Sequence, residues 1–387
     1  MSGRPPAGGL PPTAGGRPPT LFTRVPLLML GFVALFVGAG AGLARLGWTM
    51  PATAASAAAL HGPLMVCGFF GVVISLERAV AIGRGWAYLG PLLAGLGGAA
   101  AVAGQATAAA AFFLAGSGVL LAASIDILRR QRALFTSTMA LGAAGWSVGN
   151  ALWLAGRAPH EVVTWWLAFL ILTIAGERLE LSRLLPPSPV ATRVFAALLV
   201  LIVAGLAGDA GFGEGLLPGS AGWGATVYAA GLLALAGWLL KQDIARRTVR
   251  GQGLTRFIAV CLLSGYGWLA VGAAVILGAG GLHPGTPAHD AALHAIGLGF
   301  VFSMVFGHAP IIFPAVLRVA VPYHPSFYAP LALLHGSLVI RLAGDAAGNF
   351  DWVRAGGLLN AVALAAFIVS TVGAVVRGRL AGRQRAG

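Results

Sequence analysis

The sequence predicts an all-α polytopic membrane protein of about twelve transmembrane helices, grouped as three pseudo-repeated four-helix units. Three observations predict it. Of the 387 residues, 58% are hydrophobic and only 9% are charged, a balance foreign to soluble domains. Apolar runs of about 18 residues or more recur along the whole chain, long enough to cross a bilayer as helix. The cations are also one-sided. With the N-terminus cytoplasmic, inner segments hold 21 Lys and Arg, and outer segments hold only Arg45, Arg157, Arg341 and Arg354, as the positive-inside rule requires. Adding or removing a span scrambles that split, so twelve spans and two cytoplasmic termini follow together. The Arg-, Ala- and Gly-rich composition fits a bacterium with a GC-rich genome, and the expected location is the bacterial cytoplasmic (inner) membrane. The net charge of +14 does not point to nucleic acid, because the arginines occupy short inter-helix loops rather than a patch or tail.

Taken in order, residues 1–24 are Pro- and Gly-rich and predict a disordered cytoplasmic tail. Span 1 (26–45) is followed by ATAASA, which resembles a cleavage site, but its apolar stretch is too long for a signal peptide and reads as an uncleaved span. Span 2 (54–76) carries His61 about two turns in, in the outer leaflet, with Gly62, Gly68 and Gly71 nearby. Spans 3 (87–104), 4 (107–127) and 5 (133–155) follow, and span 6 (161–177) opens beside His160 and Glu161. Spans 7 (191–208), 8 (222–240) and 9 (256–279) lead to span 10 (291–313), which has His289 and Asp290 at its outer end, His294 one turn in and His308 further down. Span 11 (326–344) holds His335, in an LHGSL context that echoes LHGPL around His61, and Arg341. Span 12 (354–376) opens at Arg354, and 377–387 form a basic cytoplasmic tail, leaving 25–376 as a single transmembrane domain. Cys67 and Cys261 have no CxxC spacing and read as small core residues.

Spans 2, 6 and 10 run in the same direction, and each opens near a histidine. Two of them end in matching pairs, Glu77-Arg78 and Glu177-Arg178, lying 16 and 17 residues after their histidines. This weak repeat is the source of the three-unit expectation. The plainer account of the pairs is interface punctuation at helix ends.

A buried imidazole in a membrane must find a partner, and it can ligate haem iron through one ring nitrogen. His61 and His294 sit at one depth on parallel spans, so they can face each other as the axial pair of a b-type haem, with Gly62, Gly68 and Gly71 as the small residues a porphyrin needs beside it and Gly297 and Gly299 following His294. His308 lies fourteen residues beyond His294. That is about 40° short of four turns and about 21 Å along the axis, so a second metal or haem site could use His308 with His335. The plainer reading of those two is a polar contact between neighbouring helices. His160 and His289, beside Glu161 and Asp290, are candidate copper ligands or solvated loop residues. Arg341 and Arg354 flank one outer loop and are candidate partners for haem propionates, or interface anchors. No P-loop, dinucleotide fingerprint or Ser-His-Asp pattern is present, and the span centres lack the acid that proton-coupled transporters keep.

Twelve spans in three units, with His61-Gly62-Pro63-Leu64-Met65 opening span 2, resemble haem–copper oxidase subunit I. The resemblance implies His61 and His294 as ligands of a low-spin haem, and His160-Glu161-Val162 echoes that family's sixth-helix motif. The chain departs from the family in having no histidine in 191–208, His289 and His294 five apart in place of His-x-His, and no proton-channel residues. A complete copper–haem oxygen-reducing site is therefore not expected. The chain is more similar overall to the NnrS family, which implies haem b and copper, and a role in nitric oxide or nitrogen-oxide response or electron transfer, with a gaseous ligand or quinone as partner. The alternative is a cofactor-free small-molecule transporter or permease, and a third reading is an assembly factor that handles quinone or haem.

Overall fold

The computed structural model describes residues 21–184, 186, 188–211 and 223–384, and among them every regular element is helical. The expectation of a disordered tail falls mostly on residues outside this range. Eleven helices are long and apolar enough to cross a membrane, and a twelfth completes the set. We label them α1 (Leu21–Arg45), α2 (Ala58–Ile82), α3 (Gly85–Val102), α4 (Ala106–Arg130), α5 (Leu134–Leu154), α6 (Pro159–Leu181), α7 (Pro189–Asp209), α8 (Trp223–Gln242), α9 (Gly253–Ala279), α10 (Pro287–Leu317), α11 (Pro325–Ala347) and α12 (Phe350–Gln384). The chain is thus an all-α, multi-pass membrane protein.

α5 is the less apolar one, because it carries Thr136, Ser137, Thr138, Ser147 and Asn150. Their hydroxyls are returned to their own helix or its start: Thr138 donates to the Leu134 carbonyl at 2.8 Å and Ser147 to the Ala143 carbonyl at 3.1 Å. A face of Gly142, Gly145 and Gly149 lets α6 approach closely. A Cβ at Gly149 would lie 2.8 Å from the Trp166 indole, the small-residue packing that membranes favour.

Helix starts follow local chemistry. Pro occupies the first turn of α6, α7 and α10, where its missing N–H costs nothing. The Ala158 N–H donates to Glu161 Oε2 at 2.7 Å to begin α6, and the His289 N–H donates to Thr286 Oγ1 at 3.2 Å to begin α10. α12 runs on to Gln384, so 377–384 continue a helix where the sequence suggested a free basic tail. Arg377 and Arg379 lie near its C-terminus, the end that favours cations.

Most sequential neighbours lie side by side, including α4 with α5 and α8 with α9 across the boundaries of the expected four-helix units, while α12 closes on α1 and α2, α6 and α10 touch one another in the middle. α6 is the axial element, with 78% of its most apolar 18-residue stretch buried. At the α2–α6 contact, Asn150 of α5 ties four helices together. It accepts from Trp166 Nε1 at 3.0 Å and donates to the Phe113 carbonyl at 3.1 Å, and Cys67 Sγ lies 3.5 Å from its oxygen. Trp146 Nε1 in turn donates to Cys67 Sγ at 3.2 Å. Cys67 and Cys261 are both free and buried.

Two of the central helices are not regular. α2 is π-helical over Leu64–Phe70 and α10 over Ala295–Phe302. π turns insert an extra residue into the hydrogen-bond ladder and recur at functional sites. Both segments follow closely on a histidine. The segment in α10 lies between His294 and His308, and a π turn rotates the chain by less per residue than the regular count that set both rings on one face.

Candidate cofactor site between the second and tenth helices

His61 begins the regular part of α2, directly after a tight turn over Ala58–Leu60, so it lies nearer the helix end than the expected two turns. Its ring rests on α1. Nδ1 lies 2.7 Å from the Gly38 carbonyl oxygen, and a Cβ added at Gly42 would meet ring atom Cε1 at 2.8 Å. Gly38 and Gly42 form a GxxxG pair: the bare backbone at Gly42 admits the imidazole, while a Cβ at Gly38 would press on Leu64 and Met65.

His294 is held by its own helix. Nδ1 lies 2.8 Å from the Asp290 carbonyl oxygen and 3.3 Å from the Asp290 carboxylate. That carboxylate is gripped by Arg341 of α11 through two bonds, Nε at 2.7 Å and Nη2 at 2.8 Å. Arg341 is buried, and it passes close to Gly357 of α12. The chain Arg341–Asp290–His294 therefore fixes the second ring from α10, α11 and α12 at once.

The two imidazoles come together with ring centres 6.3 Å apart and planes within 15° of parallel. A metal–imidazole bond is about 2 Å, and the ring centre lies roughly 1 Å beyond the bonded nitrogen, so two imidazoles on opposite sides of one metal stand about 6 Å apart. Each ring uses Nδ1 on a protein oxygen and leaves Nε2 with no protein partner among the described residues. Metal-bound histidines are held in this way, the outer N–H spent on a carbonyl or carboxylate. Space is present beside the rings: a Cβ at Gly62 or at Gly297 would meet nothing within 4 Å, and the His294 side chain keeps 18% exposure. Towards the arginine-rich ends of the helices, Phe69 and Phe302 stack at 6.0 Å and 3°, Phe70 meets Phe302 edge-on at 5.1 Å, and the three rings close the site with hydrocarbon. Two neutral imidazoles over an apolar floor form a donor set that can hold a b-type haem.

Gly68, Gly71 and Gly299, expected beside a porphyrin, serve helix packing: Cβ atoms there would strike Ala34 at 2.8 Å, Trp146 at 2.5 Å and Trp268 at 2.4 Å. Arg341 commits Nε and Nη2 to the Asp290 carboxylate. Arg354 lies over the Trp48 ring at 4.2 Å and donates to the Gly47 carbonyl at 3.2 Å, which pins the end of α1.

His335 does not pair with His308. Trp268 Nε1 donates to His335 Nδ1 at 2.9 Å, and since tryptophan can only donate, the proton of this ring sits on Nε2, 3.1 Å from Ser264 Oγ. Both nitrogens are spent, on α9. The polar contact between helices that the sequence allowed is present, with a different helix as partner. His308 repeats the habit of His294: its Nδ1 lies 2.6 Å from the Met304 carbonyl oxygen. His160 and Glu161 are exposed. His289 is half-buried, with Nε2 buried and unpartnered among the described residues. Among the described residues, no three His, Cys, Asp or Glu side chains gather into a metal-binding cluster. The sequence did not single out Gly38, Gly42 or the role of Asp290. The GxxxG spacing and the i, i+4 relation of Asp290 to His294 were the available signals.

A family model described as a domain of unknown function (DUF8744) matches residues 24–376, and the chain belongs to that family. No curated protein matches it.

Proposed function

We propose that this DUF8744 member is a membrane haem b protein in which His61 and His294 are the two axial ligands. The observation that carries the reading is the ring pair at 6.3 Å with both Nδ1 atoms already committed. When bound, such a haem supplies one-electron chemistry. The chain's own residues orient the ligands: Gly38 and Gly42 set His61, and Asp290 backed by Arg341 sets His294. The phenylalanine floor keeps water out and lowers the local dielectric.

Two protein ligands fill both axial positions. This favours electron transfer in nitrogen-oxide metabolism over direct capture of nitric oxide, which would have to displace an imidazole. The NnrS-like resemblance supplies the nitrogen-oxide context. In this reading the site faces the outer side of a bacterial cytoplasmic membrane, with the arginine-rich ends inside. Copper, if the NnrS-like reading extends that far, falls to His289 and His160 near the same surface.

The test is haem and copper content per chain in protein purified from haem-replete cells, with carbon monoxide added to the reduced sample. One haem per chain, and no spectral change with carbon monoxide, are expected. Haem below about a tenth of stoichiometry, with the fold intact, refutes the proposal and returns weight to a cofactor-free permease.

A further inference from the structure

Three of the four outer arginines are engaged by the protein itself. Arg157 lies 3.5 Å from the Glu161 carboxylate. Arg354 covers the Trp48 ring. Arg341 gives Nε and Nη2 to Asp290, and its Nη1 lies 3.3 Å from where a Cβ at Gly357 of α12 would stand. The fourth is Arg45, the last residue of α1. It is exposed, and no carboxylate pairs with it among the described residues.

Arg45 belongs to the face of α1 on which His61 rests. The Gly38 carbonyl oxygen meets Nδ1 of that ring, and the bare backbone of Gly42 lies against its edge. Arg45 follows Gly42 by three residues and Gly38 by seven, so the three positions form one stripe along the helix. Its Cα stands about 4.5 Å further outward than that of Gly42. Long helical side chains lean back toward the N-terminus, which here is toward the ring. The charge of Arg45 is felt at both His61 and His289. The opposite end of the site is closed by Phe69, Phe70 and Phe302. A carboxylate turned into those rings would be stripped of water with no partner. A ligand with one charged edge, held between the two histidines, therefore turns that edge outward, to the side where Arg45 stands.

We propose that Arg45 is a cofactor-binding residue that pairs with a propionate of the haem. The proposal rests on the haem reading given above. A guanidinium holds a carboxylate through parallel N–H donors. An exposed pair of this kind adds little to folding, so its effect falls on the orientation of the cofactor and on its affinity for an electron. A cation beside the haem favours the reduced form, which carries one more negative charge.

The experiment is redox potentiometry of the purified holoprotein, with resonance Raman spectroscopy of the propionate bending band, in wild type, Arg45→Gln, Arg45→Lys and Arg157→Gln. Haem content is expected to be retained in all four, because both histidines remain. Arg45→Gln is expected to shift the reduction equilibrium about tenfold toward the oxidised form, a potential about 59 mV lower for a one-electron couple, and to move the propionate band. Arg45→Lys is expected to restore most of the potential but not the band, since an ammonium keeps the charge and loses the fork. Arg157→Gln is expected to change neither. If Arg45→Gln loses its haem, the band in Arg45→Lys decides. Full haem content with potential and band unchanged in Arg45→Gln overturns the role of Arg45 and leaves the haem reading standing. An equal change in Arg157→Gln also overturns it, because any outer cation would then suffice. Wild-type protein without haem overturns both.

Discussion

At Gly42 a single missing side chain decides whether His61 can lie where it does. Because a Cβ there would meet the ring at 2.8 Å, Gly42→Leu is expected to lower haem content severalfold while shifting the thermal midpoint little, as read by haem assay and unfolding of the same preparation. A variant that keeps full haem would show that α1 does not set the ring. His335→Phe is expected to do the reverse. It strands the Trp268 donor and costs about 1–2 kcal/mol of stability, with haem content unchanged. These contrasts also show what could be read from sequence. His61 and His294 stood out because each sits near the same end of a span running in the same direction. The partners of Arg341 and His335 did not. Arg341 meets an acid 51 residues away, and His335 meets a tryptophan and a serine, residue types that a search for metal ligands passes over.

At the scale of the helix, the spans were legible because a bilayer demands long apolar runs and an arginine asymmetry, both additive along the chain. The two π segments were not, because Leu64–Phe70 and Ala295–Phe302 are apolar throughout and an all-round apolar helix has no periodic face whose phase could reveal an extra residue. That hidden turn lies between His294 and His308, where the sequence reading relates the two rings by a regular count. The polar hub was equally hidden, since Asn150 alone gave no sign of joining α4, α5 and α6. Asn150→Leu leaves Trp166 Nε1 without its acceptor and removes the added bond to the Phe113 carbonyl. Destabilisation of about 1–3 kcal/mol is expected, measured as a lower unfolding midpoint in detergent. A neutral result would mean that the hub adds nothing beyond packing.

For the whole molecule, α2, α6 and α10 touch one another at the centre, and the histidine pair spans two of these three helices. A site built between helices distant in the chain exists only when they are packed together, so cofactor loss and loss of helix packing are expected to be coupled. Twelve crossings place both termini on one side. Reporter fusions after Gln384 and in the loop between α11 and α12 are therefore expected to report opposite compartments; the same compartment for both would refute that arrangement. The central claim is tested most directly by a dithionite-reduced minus air-oxidised absorption spectrum of the detergent-purified protein, alongside His61→Ala and His294→Ala. The account predicts sharp low-spin b-type bands that vanish in both variants. A featureless spectrum from haem-replete cells, or bands unchanged when either histidine is removed, would contradict it.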